Sequence, residues 1–393
     1  MQPLAASVLP TLTAPWPHFE ADEVEAVNRV LASGKVNYWT GSEGKQFESE
    51  FASYVGTKHA IALANGTVAL ELIWRALGLE PGDEVVTTPR TFIASAASAV
   101  LSGLSVRFAD VDRESGNITP ETVARAMTPR TKALLAVHLG GWPCDMEGLL
   151  SLGPTVIEDC AQAHGARVNG QSVGSFGVAS AWSFCQDKIM TTLGEGGMVT
   201  TDNDELWADG WSMKDHGKSF DAVFNRDHAP GFRWLHESFG TNWRMTEVQS
   251  AQGRVALRKL DKWVNLRRNN ARQLIKALED FSSVRVPVPA SGYDHAYYRL
   301  YAYVRPEALK SDWSRDRIMG EIAGRGVPCF SGSCSEIYLE KAFDGHPQHN
   351  DRLPVAKELG DTSLCFLVHP TLTSSVVDRC CDVITDVIGE AQR

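Results

Sequence analysis

What this chain of 393 residues lacks narrows its function before any motif is read. No run of about 20 apolar residues occurs, so no segment reads as a membrane-spanning helix. The opening residues, Met1-Gln2-Pro3-Leu4-Ala5-Ala6, have neither the basic start nor the long apolar stretch of a secretory signal, so a cytoplasmic protein is expected. Positive charge is in deficit: the net charge is -10 at pH 7, which argues against a nucleic-acid partner. Neither a Gly-x-Gly-x-x-Gly nor a Walker A loop is present. Ahead of Gly217-Lys218-Ser219, Ser212 stands where the loop needs glycine, and no strand precedes it. The eight cysteines contain no Cys-x-x-Cys pair and no zinc spacing, so no metal site is expected. They read as reduced, mostly buried small apolar residues. Cys160 and Cys185 fall inside motifs described below, but no base pairs with either to make a catalytic thiol. There are no internal repeats and no low-complexity tract.

What is present is ordinary globular protein, 43% hydrophobic and 22% charged. The length suggests two domains, one large and one small. The chain is organised around Ser183-Phe184-Cys185-Gln186-Asp187-Lys188-Ile189-Met190-Thr191-Thr192-Leu193-Gly194-Glu195-Gly196-Gly197. It follows Val178-Ala179-Ser180-Ala181-Trp182, a stretch with the small and apolar residues of a buried strand. A lysine thus leaves a strand end into a glycine-rich loop. Poorly solvated there, its amine should have a lowered pKa and can attack a carbonyl to form a Schiff base. A surface lysine on a turn would look the same on this stretch alone.

Upstream, Thr155-Val156-Ile157-Glu158-Asp159-Cys160-Ala161-Gln162-Ala163-His164-Gly165 ends a second short strand with Asp159 just past it. Ligands of open α/β sheets bind at that edge. A carboxylate there is the partner that a pyridinium nitrogen needs. Strand-end Asp159, strand-end Lys188 and a nearby Ser183 for a phosphate make the layout of a pyridoxal phosphate site.

These two stretches resemble the DegT/DnrJ/StrS family of pyridoxal-phosphate sugar aminotransferases, whose patterns read roughly E-D-x-A-Q-x-x-G and S-F-x-x-x-K-x-x-T-x-G-E-G-G. The resemblance runs from about Phe19 to the C-terminus. It implies a fold-type I, aspartate aminotransferase-like α/β chain. Residues 16–257 would form a large domain on a mostly parallel seven-stranded sheet, and residues 258–393 a smaller α/β domain. It also implies pyridoxal 5'-phosphate on Lys188 with Asp159 as the other catalytic residue, and Gln162 hydrogen-bonding the phenolic oxygen. The expected acceptor is a nucleotide-linked keto (deoxy)sugar, with glutamate or glutamine as donor, in amino-sugar synthesis for a surface polysaccharide or a glycosylated metabolite. A keto-cyclitol acceptor fits the same motifs. A non-catalytic sensor on this fold is disfavoured by the presence of Lys188, Asp159 and Ser183 together, and a dehydratase relative would carry His where Lys188 stands.

Along the chain, the first 15 or so residues read as a loose lead-in. Helices are expected over 19–33 and 44–55, and strands over 59–64, 84–88, 104–110 and 131–139. Between the first two helices, Tyr38 and Trp39 are either substrate contacts or aromatic packing under a loop. Asn65-Gly66-Thr67 opens a helix, and its free N–H groups and hydroxyl could cradle a phosphate or serve only as a cap. It is similar to the family's phosphate-binding S-G-T-x-A-L, with Asn65 in place of Ser. Phe92 matches the aromatic that stacks on the pyridine ring. Gly140-Gly141-Trp142 departs from the family's pattern, on the substrate side of the pocket. His164 reads as a packed, hydrogen-bonded histidine or a site contact. Gly240-Thr241-Asn242-Trp243-Arg244-Met245 resembles a stretch whose Asn reaches the neighbouring subunit's cofactor phosphate. The resemblance therefore implies a homodimer with shared sites, although Asn242 could merely cap the next helix. Helices are expected from Thr246 to about Leu260 and from Trp263 to Leu278, with the domain change near Arg258. Tyr297-Arg299-Tyr301-Tyr303 alternates as a strand.

Overall fold

A computed structural model describes residues 15–346 and 352–393. All but the end of the expected lead-in lies outside the described residues. The large sheet has seven strands: β1 (His59–Leu63), β2 (Glu84–Thr87), β3 (Ser105–Phe108), β4 (Thr131–Val137), β5 (Thr155–Asp159), β6 (Ala179–Ser183) and β7 (Gly197–Thr201). Their order is β1-β7-β6-β5-β4-β2-β3. Only β7 opposes the rest, pairing antiparallel with both β1 and β6. The other pairs are parallel, as the strand–helix alternation predicts.

Both faces of the sheet are covered, and the period-2 alternation of the strands sorts the core. Two helices, α1 (Ala21–Ser33) and α2 (Glu43–Val55), precede the sheet, and Ile61 and Leu63 join Leu70, Ile73 and Trp74 of α3 (Gly66–Ala76) on one face. Ala60, Ala62, Trp182 and Met198 pack against Phe47 and Phe51 on the other.

The helix expected to break near 260 is continuous, Glu247–Leu278. Thr246 and Gln249 close a capping box at its start, and no proline interrupts it. Gly253 is tolerated inside because a Cβ there would lie 2.6 Å from the Phe47 ring. Position 258 falls within this helix. Its C-terminal residues Ala271, Leu274 and Leu278 pack in a second core built on an antiparallel sheet. That sheet comprises β8 (Val284–Arg285), β9 (Leu300–Val304), β10 (Cys329–Phe330) and β11 (Ser363–Phe366), in the order β8-β9-β11-β10.

The alternating stretch 297–303 is strand only from Leu300. Tyr297 has a φ of 48°. The carbonyls of Gly141 and Gly140 accept from the N–H groups of Ala296 (2.9 Å) and Arg299 (3.4 Å). Residues 296–299 are thereby pulled off the strand path toward the carboxyl edge of the large sheet. No helix among the described residues is long and apolar enough to cross a membrane.

Candidate active site

Lys188 lies in the loop joining β6 to β7. The loop folds back on itself because its polar groups are used internally. Thr191 Oγ1 donates to the Phe184 carbonyl at 2.9 Å, Thr192 Oγ1 to that of Glu195 at 2.6 Å, and Phe184 N–H to that of Gly196 at 2.8 Å. Glycine is required at 197, where a Cβ would stand 2.3 Å from the Asn65 carbonyl oxygen. The return strand therefore passes directly behind the start of α3. Lys188 itself is fixed by its backbone: its N–H donates to Cys185 O (3.1 Å) and its carbonyl accepts from Trp16 Nε1 (2.8 Å). The Nζ is 5.1 Å from the centroid of the Tyr298 ring.

Ser183, at the end of β6, meets Gly66 at the start of α3. A Cβ on residue 66 would be 2.7 Å from Ser183 Cβ, so only glycine lets the helix start beside that hydroxyl. Asn65 is the cap: its side chain accepts from Val68 N at 3.0 Å. The N–H groups of Gly66 and Thr67, in the first turn, have no intrahelical acceptor and point with the helix dipole at whatever lies before them. Such a helix start suits an anion, and Asn65 shapes it as the cap.

Asp159 ends β5 and is 6% exposed. One oxygen accepts from Ala161 N (3.1 Å) and the other from Ser95 Oγ (2.7 Å). Ser95 also bonds Thr91 Oγ1 at 2.8 Å, and its N–H donates to Phe92 O at 3.1 Å. The segment carrying Phe92 is thereby tied to the carboxylate, and the ring of Phe92 stays open, at 67% exposure. Gln162 is buried, and its Oε1 accepts from Gly140 N at 2.8 Å, while its amide N–H groups have no acceptor among the described residues. The Gly140-Gly141 step, with φ of 65° and 95°, thus orients Gln162 and also anchors residues 296–299.

The neighbouring Glu158 carries no site chemistry. With His138 and Cys160 it forms a buried group of metal-ligating types. His138 Nδ1, however, accepts from Cys144 N, its Nε2 faces Glu158, and Glu158 also accepts from the N–H groups of Gly174, Phe176 and Gly177. Those lone pairs are taken. Burial pushes the Cys160 thiol well above its usual range, so it is an inert core group.

His164 is packed against the Trp182 and Phe184 rings, but neither ring nitrogen has a hydrogen-bond partner among the described residues. Burial, with Lys188 and Arg267 adding to it, lowers its pKa to about 3, so it is neutral. Tyr38 and Trp39 are in aromatic packing: Tyr38 is buried on Glu48, and Trp39 sits among Tyr38, Trp211 and Phe224. Asn242 is exposed, on a segment that pairs with Asp215 and, through Trp243 O, with Ala64 N (2.9 Å). Sequence reasoning missed Asp187, Tyr298 and Arg299. The Tyr298 hydroxyl donates to the Asp187 carboxylate, and Arg299 Nη2 lies 3.4 Å from it. The 297–303 alternation included Arg299 only as a strand residue, and Asp187 lay within the lysine motif with no partner indicated.

Comparison with known proteins fits this arrangement. The family model described as DegT/DnrJ/EryC1/StrS aminotransferase matches residues 17–385. The chain is 32% identical over 379 residues to dTDP-3-amino-3,4,6-trideoxy-alpha-D-glucose transaminase of Streptomyces venezuelae, covering 95% of this chain and 94% of that one. It is 31% identical to GDP-perosamine synthase of Caulobacter vibrioides, covering 97% and 100%. The X-ray structure of an aminotransferase from Psychrobacter cryohalolentis superposes with a TM-score of 0.94 at 53% identity, over 96% of this chain and 99% of that one. With a family model matched over residues 17–385 and relatives above 30% identity along nearly its whole length, the protein belongs to the DegT/DnrJ/EryC1/StrS aminotransferase family.

Proposed function

We propose that the protein is a pyridoxal-phosphate-dependent aminotransferase that moves an amino group from glutamate or glutamine to the keto group of a nucleotide-linked (deoxy)sugar. The observation that carries the reading is the contact of Gly66 with Ser183, where a Cβ would lie 2.7 Å away, on the same sheet edge as Lys188 and buried Asp159. The residues fit the cofactor chemically. The cradle of Gly66, Thr67 and Ser183 suits its phosphate, and Asp159 its ring nitrogen. The amide of Gln162 suits its phenolic oxygen, Phe92 its ring face and Lys188 its carbonyl. When bound, the cofactor supplies an electron sink for the carbon that gives up its amine.

The protein's own groups do the rest. Asp159, already oriented by Ser95 and Ala161, holds the proton at the ring nitrogen. Lys188 Nζ, once released by the donor, takes the proton from the donor's α-carbon. The sugar-nucleotide names of the two relatives support that class of acceptor. The purified protein should be yellow, and glutamate or glutamine should bleach it. A nucleotide ketosugar should then restore the colour and gain one amine by mass. If neither amino acid bleaches it, the donor assignment fails; if no ketosugar is aminated, the acceptor assignment fails.

The reading includes a homodimer in which each site borrows Asn242 from the partner. It is supported by the exposure of Asn242 and by a run of bare aromatics before it: Phe232 at 76%, Trp234 at 81% and Phe239 at 103%. Apolar surface of that kind is normally covered by a partner. Mixing inactive Lys188→Ala and Asn242→Ala chains should partly restore activity, because a heterodimer holds one site with both defects and one with neither. A mixture that stays dead after verified subunit exchange means that each site is built from one chain.

A further inference from the structure

An amino-acid donor brings a carboxylate on the very carbon that loses the amine. A cation must therefore stand near the working lysine, and arginine's planar fork is the side chain best matched to a carboxylate. Two arginines act on the surroundings of Lys188. Arg267 has no exposed surface: its Nη1 donates to Tyr298 O at 3.3 Å, its guanidinium is 5.1 Å from the Trp16 ring, and its Nε and Nη2 have no hydrogen-bond partner among the described residues. Arg299 is open. Its side chain is 18% exposed, and its guanidinium is 4.6 Å from the centroid of Tyr298, the ring against which Lys188 Nζ lies at 5.1 Å.

Resting on the assignment of Lys188 as the covalent residue, we infer that Arg299 docks the α-carboxylate of the amino donor, and that Asp187 occupies its guanidinium until the donor displaces it. The two ends of Arg299 are held very differently. Its backbone N–H is on Gly140 O, and the Gly140 N–H is on Gln162, so its root is registered to the site. Its head is held by one nitrogen only, at 3.4 Å from Asp187, well beyond the ~2.8 Å of a strong charge-assisted bond. The rest of the fork has no hydrogen-bond partner among the described residues, which leaves it for a two-point grip.

Asp187 can let go without being stranded. Its side chain is half-exposed, and the Tyr298 hydroxyl remains bonded to it when Arg299 leaves. Burial raises its carboxyl, but Lys188, Tyr298 and Arg299 outweigh that and hold it below the usual range, so at neutral pH it is a charged stand-in for a substrate carboxylate. Because Asp187 immediately precedes Lys188, donor binding removes one of the two contacts that residues 298 and 299 make with the lysine loop and leaves the other, from Tyr298, in place.

The test uses calorimetric titration of the holoenzyme with glutarate, a donor skeleton without the amine, after reduction and peptide mapping have located the cofactor on Lys188. Arg299→Gln should weaken glutarate about 10- to 100-fold, the range for a lost hydrogen bond to a charged group. Arg299→Lys should restore part of that loss. Asp187→Asn should tighten glutarate roughly threefold or more, because the competing occupant is gone. Binding of dTDP should be unchanged in all three. Opposite signs for Arg299→Gln and Asp187→Asn are the signature, since a pair that only tethers the loop would shift both in the same direction. Loss in both, no change in either, or weakened dTDP with intact glutarate overturns the inference, as does a wild type that binds no glutarate. Cofactor found off Lys188 overturns the site assignment instead.

Discussion

Replacing Lys188 by alanine should give a folded, colourless protein with no measurable amino transfer. Folding should survive because the contacts that fix the residue are made by its backbone, with Cys185 O and Trp16 Nε1, and alanine keeps both. Activity should not, because the amine is at once the covalent anchor and the proton carrier. The proton-transfer role alone is typically worth about 10²- to 10⁴-fold. Losing the anchor adds to that.

A second lysine makes this a test of place and not of amine reactivity. Lys214 is wholly buried, and burial lowers its pKa to about 8, so on acidity alone its amine would be a competent nucleophile. Its Nζ is walled in by the Tyr38 ring at 4.0 Å and the Trp211 ring at 4.7 Å, and no carbonyl can approach it. Borohydride reduction followed by peptide mapping separates the two. Reduced cofactor on the peptide carrying Lys214 would refute the assignment of Lys188.

The local features of this site could be read from the chain, and the long-range ones could not. Lys188, Asp159 and the Gly66-Thr67 turn each sit where a strand or helix ends inside one continuous motif, so neighbours in sequence define them. β7 went unread because it returns antiparallel from a loop with no helix between, against the strand–helix alternation that revealed the others. The break expected near 260 had no breaker behind it, only a change of packing partner along an uninterrupted helix. Tyr298 and Arg299 read as strand residues because tyrosine alternation is a strand pattern. A positive φ at Tyr297 and two glycine carbonyls more than 150 residues away decide otherwise. Their partner, Asp187, was in plain view inside the lysine motif. What it pairs with is a property of the fold alone.

Asp159→Asn should keep the cofactor and the fold yet slow amino transfer by about 10²- to 10³-fold, the usual cost of losing one preorganised electrostatic partner in a water-poor site. The substitution is sterically and polarly mild. The amide oxygen can keep the bond from Ala161 N, now 3.1 Å. The amide nitrogen replaces an acceptor facing Ser95 Oγ, but Ser95 is also 2.8 Å from Thr91 Oγ1, so its proton can turn toward Thr91 while it accepts from the amide. The amide thus keeps a partner at each end, and the main change is the removal of one negative charge. Without that charge nothing holds the ring nitrogen protonated, and both half-reactions should slow together while the affinity for either substrate changes little. Separate measurement of bleaching by the donor and recovery with the ketosugar checks this. Rates within about tenfold of wild type, a barrier change under roughly 1.4 kcal/mol, would remove Asp159 from the chemistry and leave it as the residue that ties the Phe92 segment to β5.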